Sequence, residues 1–108
     1  MLKTESSLKQ LAREIVDCLA EDVRVEKIIL FGSYLSGVQR EDSDIDMAVV
    51  SKDFEKMGVM DKIELFAKAS MAVDSRIELV GFSQKDYLTP PPVSLLALIK
   101  KTGKIIYS

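Results

Sequence analysis

A glycine–serine pair and two aspartates lie close together in the sequence and could hold a phosphate-bearing substrate. Gly32 and Ser33 directly follow an apolar run, and Asp44 and Asp46 stand at the start of a second one. Because side chains alternate across a strand, the two aspartates should project from the same face. Two carboxylates so placed repel each other unless a cation lies between them. The spacing therefore predicts a phosphate site beside a pair of metal ligands, as metal-dependent chemistry on a nucleoside triphosphate requires.

The residues around this pair suggest how a phosphate would be held. Gly32 has no Cβ, so the chain can turn there and direct backbone amides near Ser33 toward an anion. A helical turn beginning at Ser33 would add the positive end of its dipole. Arg40 and Ser43 precede the aspartates and are further candidates for nucleotide binding. A solvated surface is the simpler interpretation of the charges in that polar segment.

A third carboxylate is predicted on a later strand. Residues 76–80 alternate, with Ile77 and Leu79 on one face and Glu78 on the other. If this strand lies beside the one that carries the aspartates, Glu78 joins them. Asp74 is the rival third acid, but it precedes the strand in a turn. We therefore prefer Glu78.

The composition restricts the metal to one that is held by oxygen. The chain has no histidine and a single cysteine, Cys18. Oxygen ligands favour Mg²⁺ or Mn²⁺ over Zn²⁺. Cys18 cannot form an internal disulfide, and its apolar neighbours predict a buried structural thiol rather than a nucleophile.

Size and charge exclude several other classes of protein. The 108 residues predict one domain spanning the whole chain, 1–108. A formal charge of −2 and a pI near 5.2 argue against non-specific nucleic-acid binding, which needs a basic surface. No apolar run approaches the ~18 residues of a membrane span, and no signal peptide is visible. We expect a cytoplasmic protein without membrane contact.

Hydrophobic periodicity predicts an α/β (α+β) fold, with a small mixed sheet covered by helices. The order is helix, strand, turn, strand, helix, strand, helix, strand. Helices are predicted over 6–21, from either 54 or 59 to 72, and over 93–101, and a short capped turn over 83–88. Strands are predicted over 23–31, 45–50, 76–80 and 104–107.

The same residues carry a family resemblance. Gly32-Ser33, ten intervening residues and Asp44-x-Asp46 resemble the signature of the DNA polymerase β-type nucleotidyltransferases. The resemblance runs from about residue 25 to 80, and more loosely to 105–107. The short chain is similar to the minimal nucleotidyltransferases, many of which are antitoxin partners of HEPN-domain proteins. This resemblance implies the palm fold of polymerase β.

The resemblance also implies a reaction. AMP would pass from ATP to a hydroxyl, most simply a tyrosine of a HEPN toxin, with Asp44, Asp46 and Glu78 as catalytic residues holding one or two Mg²⁺ ions. Gly32, Ser33, Arg40 and Ser43 would contact the nucleotide. The family usually has aspartate at the third acidic position, so Glu78 departs from it by one methylene. That departure is large enough to change the metal geometry by about 1 Å.

A second function remains open at this point. A catalytically weak module could neutralise a HEPN toxin by direct contact alone. In either case the chain is too short to supply an acceptor-binding domain, so a partner protein or another subunit should present the acceptor. Both a homo-oligomer and a hetero-oligomer fit this expectation.

Overall fold

Over the residues that the structure describes, the fold combines four strands with four α-helices and one 3₁₀ helix. The computed structural model describes residues 5–32 and 44–108. Within these residues, no helix has the length and apolar character needed to cross a membrane. The helices are α1 Glu5–Leu19, the 3₁₀ helix Lys52–Lys56, α2 Val59–Val73, α3 Gln84–Leu88 and α4 Leu95–Thr102. The strands are β1 Lys27–Phe31, β2 Ile45–Val50, β3 Ile77–Phe82 and β4 Lys104–Tyr107.

The strands form one mixed sheet in the order β3-β2-β1-β4. β1 pairs antiparallel with both β2 and β4, whereas β2 and β3 are parallel. The predicted α/β class with a small mixed sheet is therefore confirmed. β4 is an edge strand over the predicted residues 104–107, and β3 forms the opposite edge.

Helices cover both faces of the sheet, so the central strand β2 is buried on each side. Ile45, Met47 and Val49 pack into a cluster with residues of α1 and α2. Ala48 and Val50 pack on the other face with residues of α3 and α4, namely Tyr87, Leu96 and Ile99. Only Asp46 interrupts this burial within β2, because its side chain is partly exposed. Each strand therefore has a face toward α1 and α2 and a face toward α3 and α4.

α1 packs through a stripe of side chains spaced three or four residues apart. The buried positions are Leu8, Ala12, Ile15 and Leu19. Cys18 is exposed, so the prediction of a buried thiol was wrong. One residue corresponds to a rotation of about 100° around a helix, and Cys18 precedes the buried Leu19 by one residue. Its apolar neighbours in sequence therefore lie on a different side of the helix.

The segment after β2 contains two helices rather than one. Ser51 is fully buried; its hydroxyl donates to the Arg24 carbonyl oxygen at 2.7 Å and accepts from the Asp53 amide at 3.1 Å. This cap begins the 3₁₀ helix, which contains Phe54. α2 begins after Gly58, so residue 59, not 54, is the start of the long helix.

β3 is longer than predicted because Gly81 does not end it. The prediction ended this strand at residue 80, yet the strand continues through Gly81 to Phe82. A Cβ on Gly81 would lie 2.7 Å from Phe66 Cζ and 3.2 Å from Phe54 Cε2. These two rings meet edge to face with their centroids 5.5 Å apart. The glycine therefore lets aromatic side chains pack directly on the strand.

The C-terminal helices begin at serine caps. Ser83 caps α3, and the Ser94 hydroxyl accepts from the Ala97 amide at 3.0 Å. This second cap places the start of α4 at residue 95 rather than at the predicted residue 93. Lys100 donates to the Tyr87 carbonyl oxygen at 2.8 Å. α3 and α4 are thus tied together over one face of the sheet.

Candidate active site

The three predicted carboxylates meet at one end of the sheet. Asp46 of β2 lies opposite Phe31 of β1 on one side and opposite Glu78 of β3 on the other. Asp44 directly precedes β2 and is two residues from Asp46, which places both on the same face. The sequence alone did not predict the position of Phe31 beside Asp46, since periodicity does not specify strand register. Phe31, Asp46 and Glu78 form a row across three neighbouring strands.

Charge repulsion and burial raise the pKa values of two of these acids, Glu78 and Asp46. The Asp44 charge, followed by burial and the Asp46 charge, raises the pKa of Glu78, and a hydrogen bond between the Glu78 and Asp44 side chains acts in the same direction. Burial, followed by the Asp44 charge, raises the pKa of Asp46. Negative charge is therefore only partly compensated here, and a proton or a cation would relieve the repulsion.

Gly32 is required by the geometry of the same site. It has a φ of +82°, in the left-handed region that favours glycine. A Cβ at this position would collide with the Asp46 carboxylate, lying 3.1 Å from Cγ and 3.3 Å from Cβ of that residue. The predicted turn at Gly32 is confirmed, whereas the close approach of Asp46 had no signal in the sequence. Its contact with a nucleotide stays a prediction.

Ser33, Arg40 and Ser43 lie outside the described residues, as does the predicted helical turn after Gly32. Their roles stay predictions from the sequence.

Asp74, the other candidate for the third acid, stabilises the turn before β3 by binding Arg76. Its carboxylate accepts from Arg76 Nη2 at 2.9 Å and from Arg76 Nε at 3.2 Å. It also accepts from the Arg76 backbone amide at 3.0 Å. Asp74 is thus engaged in a local ion pair, whereas Glu78 lies in register with Asp46. The geometry favours Glu78 as the third acid.

The acids are accessible to solvent. Asp44 and Glu78 are exposed and Asp46 is partly exposed. They lie on the sheet face that α3 and α4 cover farther along the strands, where Ala48 and Val50 are fully buried. A substrate can therefore reach the carboxylates at one end of the sheet while the core stays closed.

The donor chemistry of the three acids suits a hard cation. Carboxylate oxygens are preferred ligands of Mg²⁺ and Mn²⁺, and the raised pKa values of Asp46 and Glu78 mark negative charge that a cation would compensate. As placed, no group of three or more His, Cys, Asp or Glu in residues 5–32 and 44–108 could hold a metal ion. A Mg²⁺ ion held by Asp44 and Asp46 would take its remaining ligands from phosphate oxygens of the substrate and from water.

Comparison with known proteins identifies the family. The model of the family described as polymerase β, nucleotidyltransferase matches residues 13–108. The protein adenylyltransferase MntA of Shewanella oneidensis is 38% identical over 71 residues, which cover 62% of this chain and 48% of MntA. A second relative is a Methanocaldococcus jannaschii protein that is provisionally named a protein adenylyltransferase. It is 30% identical over 79 residues, which cover 73% of this chain and 79% of that protein.

A solved structure agrees with the sequence relatives. A toxin–antitoxin crystal structure with AMP-PNP superposes with a TM-score of 0.62 and 30% identity, covering 89% of this chain and 72% of that one. The expected nucleotidyltransferase fold is thus confirmed, together with the resemblance drawn from Gly32-Ser33 and Asp44-x-Asp46. The chain belongs to the polymerase β nucleotidyltransferase family.

Proposed function

We propose that this chain transfers AMP from ATP to a hydroxyl of a partner protein, a tyrosine of a HEPN toxin, and thereby acts as an antitoxin. The observation that carries the proposal is the register of β2 and β3, which pairs Asp46 with Glu78 next to Asp44. Relatives named protein adenylyltransferases support the type of reaction. The chain spans about half of the length of MntA. The activity of the whole of MntA is therefore assigned to this chain only as a proposal.

The three acids would have different roles in the reaction. Asp44 and Asp46 would hold Mg²⁺ or Mn²⁺, and such an ion would supply positive charge to compensate the triphosphate and the departing pyrophosphate. Glu78 would orient the acceptor hydroxyl and accept its proton. The hydroxyl oxygen forms a bond to the α-phosphorus while the bond from that phosphorus to the bridging oxygen breaks. Pyrophosphate leaves, and no covalent enzyme intermediate forms.

The turn at Gly32 would receive the triphosphate. Asp46 already lies against Gly32, so a phosphate bound by amides at this turn would be next to the acids. Ser33, Arg40 and Ser43 complete the proposed nucleotide site on the basis of the sequence. In this arrangement the protein acts by positioning and charge compensation.

A partner protein would supply the acceptor. The toxin–antitoxin structure with AMP-PNP supports a toxin as the partner and an adenine nucleotide as the donor. For the partner of this chain, the HEPN class is inferred from the resemblance to minimal nucleotidyltransferases. A cytoplasmic location stays an expectation from the sequence.

The second candidate is a binding module that neutralises the toxin without efficient transfer. Glu78 favours this candidate, because the family resemblance implies that aspartate is usual at its position. This candidate predicts toxin binding that is independent of ATP and of the three acids.

Isothermal titration of ATP, with and without Mg²⁺, separates the two candidates. We expect Mg²⁺-dependent binding by the wild type and its loss in Asp44→Ala/Asp46→Ala. The control Glu14→Ala/Asp17→Ala removes the same charge from the exposed side of α1 and should bind like the wild type. Binding that survives in the first double variant would show that the acids are not the site. A wild type that binds no ATP would favour the binding module.

A further inference from the structure

A groove runs along the outer edge of β3, between this strand and α2. Its volume is about 430 Å³, within the roughly 300–1,000 Å³ of protein ligand clefts. Glu78 is the only charged residue among the described residues that line it. The principal lining residues are Ile63, Phe66, Met71, Ile77, Glu78 and Leu79. An apolar groove thus opens directly beside the proposed catalytic glutamate.

Large apolar side chains of α2 are exposed at this groove. Ile63 is 54% exposed and Met71 is 81% exposed. Exposed apolar side chains grouped around a concave surface are typical of an interaction site. Here the groove is continuous with the acids through Glu78, so its occupant would also reach the candidate active site.

The backbone of β3 can form another ladder on the same side. The Arg76 carbonyl oxygen accepts from the Ile45 amide at 2.8 Å and the Phe82 carbonyl oxygen from the Ser51 amide at 3.1 Å. The backbone groups of Arg76 and Phe82 therefore point toward β2. Because these groups alternate in direction along a strand, those of the odd-numbered residues Leu79 and Gly81 point away from β2. β3 is the terminal strand, and no strand among the described residues pairs with its outer edge. Such an edge is a template for an added strand.

We propose that an extended segment of the acceptor protein binds as a fifth strand along the outer edge of β3. Its side chains would alternate between the two faces of the sheet. A hydroxyl-bearing residue opposite Glu78 would face the acids, and the apolar residues on either side of it would enter the groove next to Ile63 and Met71. The recognised pattern is therefore apolar, hydroxyl, apolar, without a neighbouring acidic residue that the carboxylates would repel. This inference rests on the proposed transfer reaction and adds the conformation of the acceptor.

The geometry explains how an added strand would deliver the acceptor. Strands in a sheet are spaced by about 4.7–4.9 Å, so the residue opposite Glu78 would extend the row that contains Phe31, Asp46 and Glu78. The acceptor hydroxyl would then approach from the Glu78 side, while Gly32 lies on the opposite side of Asp46. Donor and acceptor would meet over the carboxylates.

Peptide labelling tests this inference in the intact protein. The probe is a set of short peptides with a central tyrosine flanked by apolar residues, incubated with Mg²⁺ and ATP labelled at the α-phosphate. Leu79→Pro removes the outward amide of an edge strand, a change that such strands tolerate, and Leu79→Ala controls for lost packing. Met71→Lys places a charge in the groove, and Met60→Lys is its control at a position that is 66% exposed on the same helix but outside the groove.

We expect Leu79→Pro and Met71→Lys to reduce labelling by about tenfold or more, with ATP affinity unchanged. Leu79→Ala should reduce labelling less than Leu79→Pro does. Labelling by Met60→Lys should stay within about twofold of that by the wild type. Labelling that neither Leu79→Pro nor Met71→Lys reduces would overturn the inference. So would a wild type that binds ATP with Mg²⁺ but labels none of these peptides.

Amide hydrogen exchange tests docking without requiring transfer. Peptides in which phenylalanine replaces the central tyrosine should bind without being labelled and should slow exchange at Leu79 and Gly81. If the wild type fails to bind ATP, the transfer reaction is wrong, whereas slowed exchange would still support the added strand. Unchanged exchange at both amides would contradict it. If the wild type is a dimer and Leu79→Pro dissociates it, the outer edge of β3 binds a second copy of the chain, and the inference is wrong.

Discussion

Asp46 places its carboxylate against the backbone of Gly32, in the space that a side chain at residue 32 would need. Gly32 directly follows β1 and Asp46 lies in β2, and the antiparallel pairing of these two strands sets Phe31 opposite Asp46. Gly32 also has a φ of +82°. One glycine therefore serves two requirements, the turn after β1 and the space for an acid at the candidate active site.

Gly32→Ala should reduce both stability and nucleotide binding. A residue other than glycine at this φ lowers the free energy of unfolding by about 1–3 kcal/mol, and its Cβ would displace the Asp46 carboxylate. We expect urea unfolding to show that loss and calorimetry to show at least about tenfold weaker Mg²⁺-dependent ATP binding. Gly58→Ala is the control for nucleotide binding, because Gly58 has a φ of −68° and its Cβ would meet only Asp61 Oδ2, at 3.5 Å. A similar loss of ATP binding in both variants would contradict this interpretation.

Glu78→Gln should separate substrate binding from transfer. The amide keeps the size of the side chain but cannot accept the hydroxyl proton, so the transfer rate should fall by about 10²–10⁴-fold. ATP affinity should change by less than about tenfold, because Asp44 and Asp46 remain. Glu78→Asp restores a carboxylate and should recover transfer relative to Glu78→Gln. A Glu78→Gln protein as active as the wild type would remove Glu78 from the mechanism.

The acid cluster should make the metal-free protein less stable as the pH rises. The pKa values of Asp46 and Glu78 are raised in the folded state, so folding favours their protonated forms. This contribution is fully present below about pH 4, near the ordinary values of these groups, and is lost as the pH rises through the raised values. Urea unfolding between pH 4 and 7 measures the loss.

Asp44→Asn should weaken this dependence on pH, because the Asp44 charge contributes to raising both pKa values. Asp17→Asn is the matched control, since Asp17 is exposed on α1. Adding Mg²⁺ should restore stability at pH 7 in the wild type more than in Asp44→Asn. Identical pH profiles for Asp44→Asn and Asp17→Asn would show that the cluster has no part in the effect.

Gly81→Ala should destabilise the fold through overpacking. The new methyl group would meet the Phe66 ring at 2.7 Å and the Phe54 ring at 3.2 Å, and inserting a group into packed side chains costs about 1–3 kcal/mol. Thermal or urea unfolding measures the loss of stability. An unchanged stability would mean that the two rings move aside at little cost.

Local sequence patterns predicted the acids better than their surroundings. Alternation along a strand placed Asp44 and Asp46 on one face and separated Glu78 from Ile77, and both predictions depend only on the pleat of one strand. The parallel pairing of β2 with β3 was stated only as a condition, since it depends on how α2 connects them. Register, and with it the position of Phe31, is a tertiary property that periodicity does not contain.

The errors arose where neighbours in sequence are not neighbours in space. Cys18 was assigned to the core because apolar residues surround it in the chain, although it points away from the buried stripe of α1. The third strand was predicted to end at residue 80, before Gly81, whereas here the glycine makes room for Phe66 and the strand continues to Phe82. In both cases packing between elements decided the outcome.

The row formed by Phe31, Asp46 and Glu78 has a consequence for the evolution of the family. Distances across this row are determined by main-chain hydrogen bonding, which is largely indifferent to the identity of side chains in the layers above and below. Core residues can therefore drift widely while the reaction centre keeps its dimensions. Relatives near 30% identity are what a scaffold of this kind permits.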